Sequence, residues 1–403
     1  MNEYVHQPMI TYIGNKRKLV NTIEDVVQRL QPHTCADAFS GSGVVSRMLL
    51  GHSKKLYVND LELYCEILSK CFLVTPSWAD TDDIVHHINE MNRCPDKVGF
   101  VSELYASQER QFYTPENGRR IDGMLDYIET HVPHNLKPYC LGPLLVKASI
   151  HTNTSGVFKG FHKGGWGGKG GHALDRITKR IEVECPVWFE PAREVVVKRQ
   201  DACDFLGELP KVDLIYLDPP YNQHPYGSNY FMLNLMCTNE RPHTISKVSG
   251  IPGDWNKSQY NYKNKIREAM ERTLRLATEK AKHTLVSYNN EGFITPNEWE
   301  DILRPYTYEK IEIDYSCYKG GRNLKIVLKK LQSFSSSSRL CNLKISLLGG
   351  FLGVILLLIQ ILWIVHLTVK FPKVWASNSK PSPHFSLVPK YTISDLIRLY
   401  SIV

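Results

Sequence analysis

The sequence predicts an α/β fold: a central, mostly parallel sheet, a long insertion, and an apolar carboxyl-terminal tail. Three observations carry this. Val212 to Leu217 is a short, nearly continuous apolar run that stops at Asp218-Pro219-Pro220-Tyr221, as in a strand buried on both faces of a parallel sheet. A short strand starting near Thr34 runs into Ala36-Asp37-Ala38-Phe39-Ser40-Gly41-Ser42-Gly43, then a helix over Val44–Leu50 and a second strand over Lys55–Asp60. Residues 346–369 contain no Lys, Arg, Asp or Glu, which sets the tail apart.

Composition bounds the class. The 403 residues are 42% hydrophobic and 22% charged, a globular balance able to build a core. Net charge is +8, but +6 of it lies in residues 332–403. Global charge therefore does not argue for nucleic acid, and only local patches can. The ten cysteines include no C-x-x-C pair and read as reduced thiols of a cytoplasmic protein, with no metal site expected. Met1 to Pro8 has neither a basic nor an apolar signal region.

In chain order, Gly14-Asn15 marks a turn within Thr11-Tyr12-Ile13-Gly14-Asn15-Lys16-Arg17-Lys18. Leu19, Ile23, Val26, Val27 and Leu30 then recur at helical spacing. The glycines at 41 and 43 lie at a strand-to-helix turn, where a ligand can approach the backbone and meet free N–H groups. Asp60 ends the second strand about 20 residues on, where an acid holds ribose hydroxyls. Together these suit an adenosine-type ligand without a pyrophosphate.

Residues 76–194 break the αβ rhythm, with a polar helix near Asp82–Asn92. Within them, Gly156 to Gly171 interleaves eight glycines and three lysines with Phe158, Phe161 and Trp166. Cations suit phosphates, aromatics stack on or wedge between bases, and glycines let a loop follow a groove. Val195–Ala202 reads as a third strand ending at Asp201, Asp204–Leu209 as a short helix, and Val212–Leu217 as the fourth strand. Asn222–Tyr230 and Gly250–Tyr262 are loops rich in amides and aromatics. Lys263–Lys282 reads as a helix with Ile266, Met270, Leu274 and Ala277 on one face, His283–Tyr288 as a fifth strand, and Tyr308–Tyr315 with Asn323–Lys330 as a closing hairpin.

Taken together these segments resemble the D12, or Dam-like, N6-adenine DNA methyltransferases. The resemblance covers roughly residues 10–330 in order. It rests on Tyr12-Ile-Gly14-Asn-Lys16, Asp37-Ala-Phe39-Ser-Gly41-Ser-Gly43, Asn59-Asp60 and Asp218-Pro219-Pro220-Tyr221. It implies a Rossmann-like sheet that uses S-adenosyl-L-methionine, no metal, and double-stranded DNA as substrate. Tyr12, Lys16, Asp60 and Asp218 are then expected at the cofactor, with Asp37, Phe39, Gly41, Gly43 and Asp201 completing its pocket. Asp218, Pro219, Pro220 and Tyr221 are the expected catalytic residues. Asp218 and the Pro219 carbonyl each accept an N–H of the adenine amine, and Tyr221 stacks on a base taken out of the duplex. Lys159, Lys163, Lys169 and Asn222 are assigned to DNA.

The expected domains are a catalytic unit over 1–75 and 195–331, and an inserted target-recognition domain over 76–194. A Ser-rich linker over 332–345, a transmembrane segment over 346–369 and a tail over 370–403 follow. The apolar stretch is long enough to span a bilayer, and two accounts of it stand: a single-pass anchor, or an appendage with no part in catalysis. A partner restriction endonuclease is a further expectation of the family. Cytosine N4 as acceptor, or a non-catalytic DNA-binding or membrane-anchored scaffold, are the alternatives to adenine methylation.

Overall fold

The computed structural model describes residues 4, 7–168, 171–316 and 323–332, with 314–316 and 323–332 described by their backbone. Lys169, the linker beyond Gln332 and the apolar stretch 346–369 lie outside the described residues. Among those described, no helix is long and apolar enough to cross a membrane.

Seven strands form one sheet among the described residues: β1 Thr34–Asp37, β2 Lys55–Asp60, β3 Glu194–Arg199, β4 Val212–Leu217, β5 Ala281–Asn289, β6 Thr307–Ser316 and β7 Asn323–Gln332. Their order is β3-β2-β1-β4-β5-β7-β6. The first five are parallel, and β7 lies antiparallel between β5 and β6. Strand order reverses between β1 and β4, so their carboxyl ends open a crevice at the switch point, where open α/β sheets bind ligands.

Side chains alternate across the central strands, as the two-residue period of a strand requires. Cys35, Leu214, Tyr216 and Leu285 pack on one face with α1 (Val20–Leu30) and α2 (Val44–His52). Ala36, Ile215, Leu217 and Val286 pack on the other with α9 (Ala202–Glu208), α12 (Ile266–Lys280) and α13 (Pro296–Leu303). The result is three layers with the sheet in the middle. The α12 face is the one its periodicity predicts, but the helix ends at Lys280 and the strand that follows starts at Ala281, earlier than His283.

A second core lies beside the sheet. It is built from α3 (Leu63–Leu73), α4 (Trp78–Arg93), α5 (Phe100–Tyr105), α6 (Pro115–His131) and α7 (Lys137–Ile150), with α11 (Phe231–Thr238) joining from beyond β4. Of these helices the sequence predicts α4 alone, near Asp82–Asn92, which leaves out its first turn. Helix α6 carries a legible start, with Thr114 accepting from the Asn117 N–H and Pro115 in the first turn. Helix α7 has Pro143 in its interior and ten buried residues out of fourteen, so it shows no amphipathic stripe to read. A short helix, α8 (Leu174–Thr178), follows the Gly-rich stretch.

Helices α3 and α7 touch at Gly142, where a Cβ would lie 2.5 Å from Cys71 Sγ and 2.6 Å from Cys71 Cβ. Gly142→Ala therefore forces the helices apart and is expected to destabilise the protein by roughly 1–3 kcal/mol, the usual range for overpacking. Urea unfolding of wild type and variant checks this. An unchanged midpoint would mean that the contact relaxes freely.

Candidate active site

The carboxyl end of β4 sets the site. Pro219 and Pro220 have no N–H to donate, so the ladder ends at Leu217 and the chain leaves the sheet stiffly. Asp218 is left in the crevice, its side chain 19% exposed. Lys16, 202 residues earlier and 7% exposed, donates from Nζ to Asp218 Oδ2 at 2.5 Å and to the Gly14 carbonyl at 2.8 Å. Burial pushes the Asp218 carboxyl above its ordinary pKa, and the ammonium of Lys16 pulls it back.

The end of β1 supplies Asp37, which accepts from Ser46 Oγ of α2 at 2.6 Å and from the Phe39 N–H at 3.2 Å. Burial raises its pKa to about 7 against those hydrogen bonds, helped by the nearby charges of Asp218 and Asp60. The chain then turns at Gly41 with φ +52°, and a Cβ there would stand 3.0 Å from the Tyr12 ring. Only glycine fits this left-handed position so close to an aromatic face. The Gly41 N–H donates to Asp60 Oδ2 at 2.8 Å, while the Glu62 N–H donates to Asp60 Oδ1 at 3.0 Å. Asp60 thus ties the glycine turn to the end of β2, and burial holds its carboxyl up. Asp201 caps α9 by accepting from the Cys203 N–H at 2.8 Å.

Tyr12, Lys16, Asp37, Phe39, Gly41, Asp60, Asp201 and Asp218 all line one cleft of about 860 Å3, open mouth included, together with Pro220. Gly43 is not in its wall; it precedes α2 with φ +79°, 3.6 Å from the Met9 methyl measured from where a Cβ would sit. Pro219 is buried and is not in the wall. Tyr221 packs its ring edge-on to Tyr288 at 5.9 Å, and its hydroxyl reaches 3.6 Å from the Cβ position of Gly14.

Several residues of the site escaped the sequence reading. Tyr12, Tyr226 and Tyr230 form a triangle of near-parallel rings: Tyr12 lies 5.0 Å from Tyr226 at 10° and 4.9 Å from Tyr230 at 19°, and those two are 6.1 Å apart. The Tyr226 hydroxyl donates to the Ile13 carbonyl at 3.2 Å, and the Tyr230 hydroxyl accepts from the Ile13 N–H at 2.7 Å. Glu62, buried, accepts on one oxygen from Asn234 at 2.6 Å and Asn256 at 3.1 Å. Its pKa is raised to about 7, mainly by burial. Asn256, Ser258, Tyr260 and Asn261 form one wall of the cleft, and Asn261 donates to the Asn222 carbonyl at 2.7 Å. The Asn-Tyr repetition of that stretch was visible in sequence, but nothing local says that it folds over a site.

The residues assigned to DNA scatter more. Lys163 is exposed, Lys159 and Asn222 are half-buried, and burial lowers the pKa of Lys159. Two aromatics of the Gly-rich stretch are not available to bases as expected. Phe158 is 2% exposed and packs against Phe112 and Phe231, and Phe161 meets Phe112 edge-on at 5.0 Å. The cause is that the stretch is tied down. Phe158 N–H donates to the Asn229 carbonyl at 2.7 Å, and the buried Asn153 bonds Gln111, His162 and Gly167 across its base. Among the described residues no group of three His, Cys, Asp or Glu side chains is placed to hold a metal ion, and the eight described cysteines are free thiols.

Comparison with known proteins identifies the site's relatives. The sequence model of the D12 class N6 adenine-specific DNA methyltransferases matches residues 12–302. The type II methyltransferase M.NlaIII of Neisseria lactamica is 26% identical over 329 residues, covering 78% of this chain and 93% of that one. The type II methyltransferase M.CviAII of Paramecium bursaria Chlorella virus 1 is 28% identical over 317 residues, covering 74% and 88%. The modification methylase StsI of Streptococcus sanguinis is 25% identical over 334 residues, covering 76% of this chain but 48% of its own length.

The buried carboxyls make a testable contribution to stability. Asp37 has a folded pKa of about 7, above its ordinary value near 4. The fold therefore favours the protonated form, and the stability this gives is fully present below about pH 4 and lost as pH rises through 7. Asp37→Asn keeps the geometry without the charge. It is expected to stabilise the cofactor-free protein at pH 8 by roughly 2–4 kcal/mol relative to wild type, and to leave pH 4 stability nearly unchanged. Urea titrations at both pH values check the difference; parallel pH slopes would place the charge elsewhere.

Proposed function

Because the chain belongs to the D12 class N6 adenine-specific DNA methyltransferase family, we propose how its residues carry the methylation of adenine in DNA by S-adenosyl-L-methionine. One observation supports the reading most: Asp218, held by Lys16, opens into the same cleft as Asp37, Asp60 and Asp201. The cleft fits the cofactor. Gly41 lets the turn pass under the Tyr12 ring at the cleft wall where any Cβ would collide with it, and the acids at the ends of β1, β2 and β3 suit the hydroxyls and amines of an adenosine. Tyr12, Lys16, Phe39, Gly41, Asp60 and Asp201 would hold it, with Asp37 and Gly43 shaping the turn. When bound, S-adenosyl-L-methionine supplies an electrophilic methyl on a sulfonium.

The chain's own part is to make a poor nucleophile react. An aromatic amine is weak because its lone pair is delocalised into the ring. Asp218 and the Pro219 carbonyl accept its two N–H bonds, favour a tetrahedral nitrogen and free the lone pair. A carboxylate in a site with little water gains strength as the amine becomes positive. Tyr221 supports the base, which has to leave the stack to reach Asp218. Pro220 fixes the direction in which the chain presents these groups. Lys16 keeps Asp218 ionised despite its burial, since a protonated carboxyl would lose an acceptor.

The helices of 76–194, which share their core with α3 and α11, serve target recognition within the catalytic frame of 1–75 and 195–331. Lys159, Lys163, Lys169 and Asn222 serve as contacts to DNA. The protein acts on a short duplex site as the modification half of a restriction-modification pair, with a cognate endonuclease as partner, in the cytoplasm. The tail beyond Gln332 takes no part in the chemistry, whether or not 346–369 associates with a membrane.

Three outcomes are expected. Asp218→Ala abolishes methyl transfer and lowers the unfolding midpoint by leaving the buried Lys16 without its carboxylate, while a cooperative unfolding transition is kept; labelling of adenine above a few per cent of the wild-type rate would refute the assignment. Lys16→Met moves the acid limb of the pH–rate profile to higher pH, since Asp218 loses the charge that lowers its pKa; an unmoved limb separates Lys16 from Asp218 ionisation. A chain ending at Gln332 keeps full specific activity on duplex DNA, and fractionation of cells making the full chain tells anchor from appendage.

A further inference from the structure

We propose that the turn Ser246–Gly250 is a DNA-reading finger, with Val248 touching the methyl of a thymine and Lys247 holding the neighbouring phosphate. The inference rests on the methyltransferase reading above and extends it to a segment, between α11 and α12, that no motif covers.

The turn is built. Gly250 N–H donates to the Ser246 carbonyl at 3.0 Å, Ser246 N–H to the Ile251 carbonyl at 2.9 Å, and Ile251 N–H to Ser246 Oγ at 3.0 Å. An antiparallel bridge pairs Ile245 with Pro252 at its base. Three side-chain bonds then fix it from outside. The buried Tyr105 donates to the Gly250 carbonyl at 2.8 Å, Arg110 to the Lys247 carbonyl at 3.2 Å, and Ser249 Oγ to the Lys159 carbonyl at 2.5 Å. Yet the tip of this fixed turn is apolar. Val248 is 62% exposed and follows the exposed Lys247.

A single exposed valine is ordinary on a mobile loop. Here the backbone beneath it is held on both sides, so its ordering entropy is already spent before any partner arrives. Binding then costs less, which is the physical content of preorganisation. The turn also belongs to the same bonded series as the catalytic mouth. Ser249 holds Lys159, Phe158 holds Asn229, and the Tyr230 hydroxyl donates to Gly156 at 3.3 Å while accepting from Ile13. The finger is thus tied to the segments that carry Tyr12 and the residues just beyond the catalytic motif. The apolar group that a groove of DNA offers an aliphatic side chain is the C5 methyl of thymine.

The test uses the full chain. Its site is first mapped by sequencing modified bases in duplex DNA that it has methylated. Thymines of that site are then replaced one at a time by uracil, which removes only the methyl. For wild type, one replacement is expected to lower kcat/KM by about fourfold, the worth of one buried methyl. Val248→Ala is expected to show the same loss on the unmodified duplex and to become indifferent to uracil at that position. Lys247→Ala should weaken binding to all sequences and reduce the salt slope by about 0.9. Unchanged thermal midpoints and cofactor affinities show that both variants are folded. If wild type ignores uracil everywhere, or Val248→Ala still senses it at the same position, the finger is overturned and the methyltransferase reading stands. If wild type methylates no adenine in duplex DNA, both fall.

Discussion

The bond between Lys16 and Asp218 is the constraint on which the rest of the site depends. Two charges removed from water cost several kcal/mol each, and losing either partner of such a pair leaves a charge that the fold cannot solvate. The ammonium of Lys16 opposes the burial that raises the Asp218 pKa at the end of β4, and Lys16 is the one Lys or Arg in the described wall of the cleft. The pair spans 202 residues, so the amino-terminal segment has to be held beside the carboxyl end of β4. That is the task of the tyrosine stack. Tyr226 and Tyr230, from just beyond the catalytic motif, each pack a ring against Tyr12 and bond the Ile13 C=O and N–H with their hydroxyls. The cation and its acid are thus delivered by two segments that also clamp each other.

How much of this was legible in the sequence follows from the range of the interactions. The strands β1, β2 and β4 could be read because they are short apolar runs closed by an acid, a glycine turn or prolines, which are local signals. Helices α1 and α12 could be read because one face meets water. Helix α7 could not: it is buried nearly all round and carries an internal proline, so no period survives. The catalytic acid and the glycine turn were likewise local, and the described residues from those motifs that line the cleft do so together. Glu62 and the 256–261 wall were not, because their partners are Asn234 and Asn222, far away in the chain. The Gly-rich stretch misled for a related reason. Its phenylalanines look exposed beside lysines and glycines, and only the distant Phe112 and Phe231 turn them inward.

The electrostatics of the cleft point the same way as its shape. Asp37, Asp60, Glu62, Asp201 and Asp218 face one space with Lys16. Burial raises the pKa of Asp37, Asp60, Glu62 and Asp218, and repulsion between neighbours adds to it for Asp37 and Glu62. Such a pocket favours a ligand that brings positive charge and disfavours an anionic one. A pyrophosphate would meet carboxylates, whereas a sulfonium with an ammonium beside it would meet the partners it lacks in a neutral cavity. The absence of a third glycine after Gly43, which would let a helix start approach a phosphate, fits the same preference.

From this follows a link between the cofactor and the fold. In the empty protein, with Asp37 and Glu62 each raised to about 7, some of these carboxyls hold a proton at neutral pH because ionising all of them would crowd negative charge into a buried space. A cationic ligand relieves that crowding, lowers those pKa values and releases protons as it binds. Affinity for it therefore grows with pH up to the point where the carboxyls are already ionised, while the stability of the empty fold declines over the same range. The acids that make the site hospitable to a methyl donor are the ones that make it costly to leave empty. The tyrosine cluster and the Lys16–Asp218 pair tie together the segments that frame that pocket.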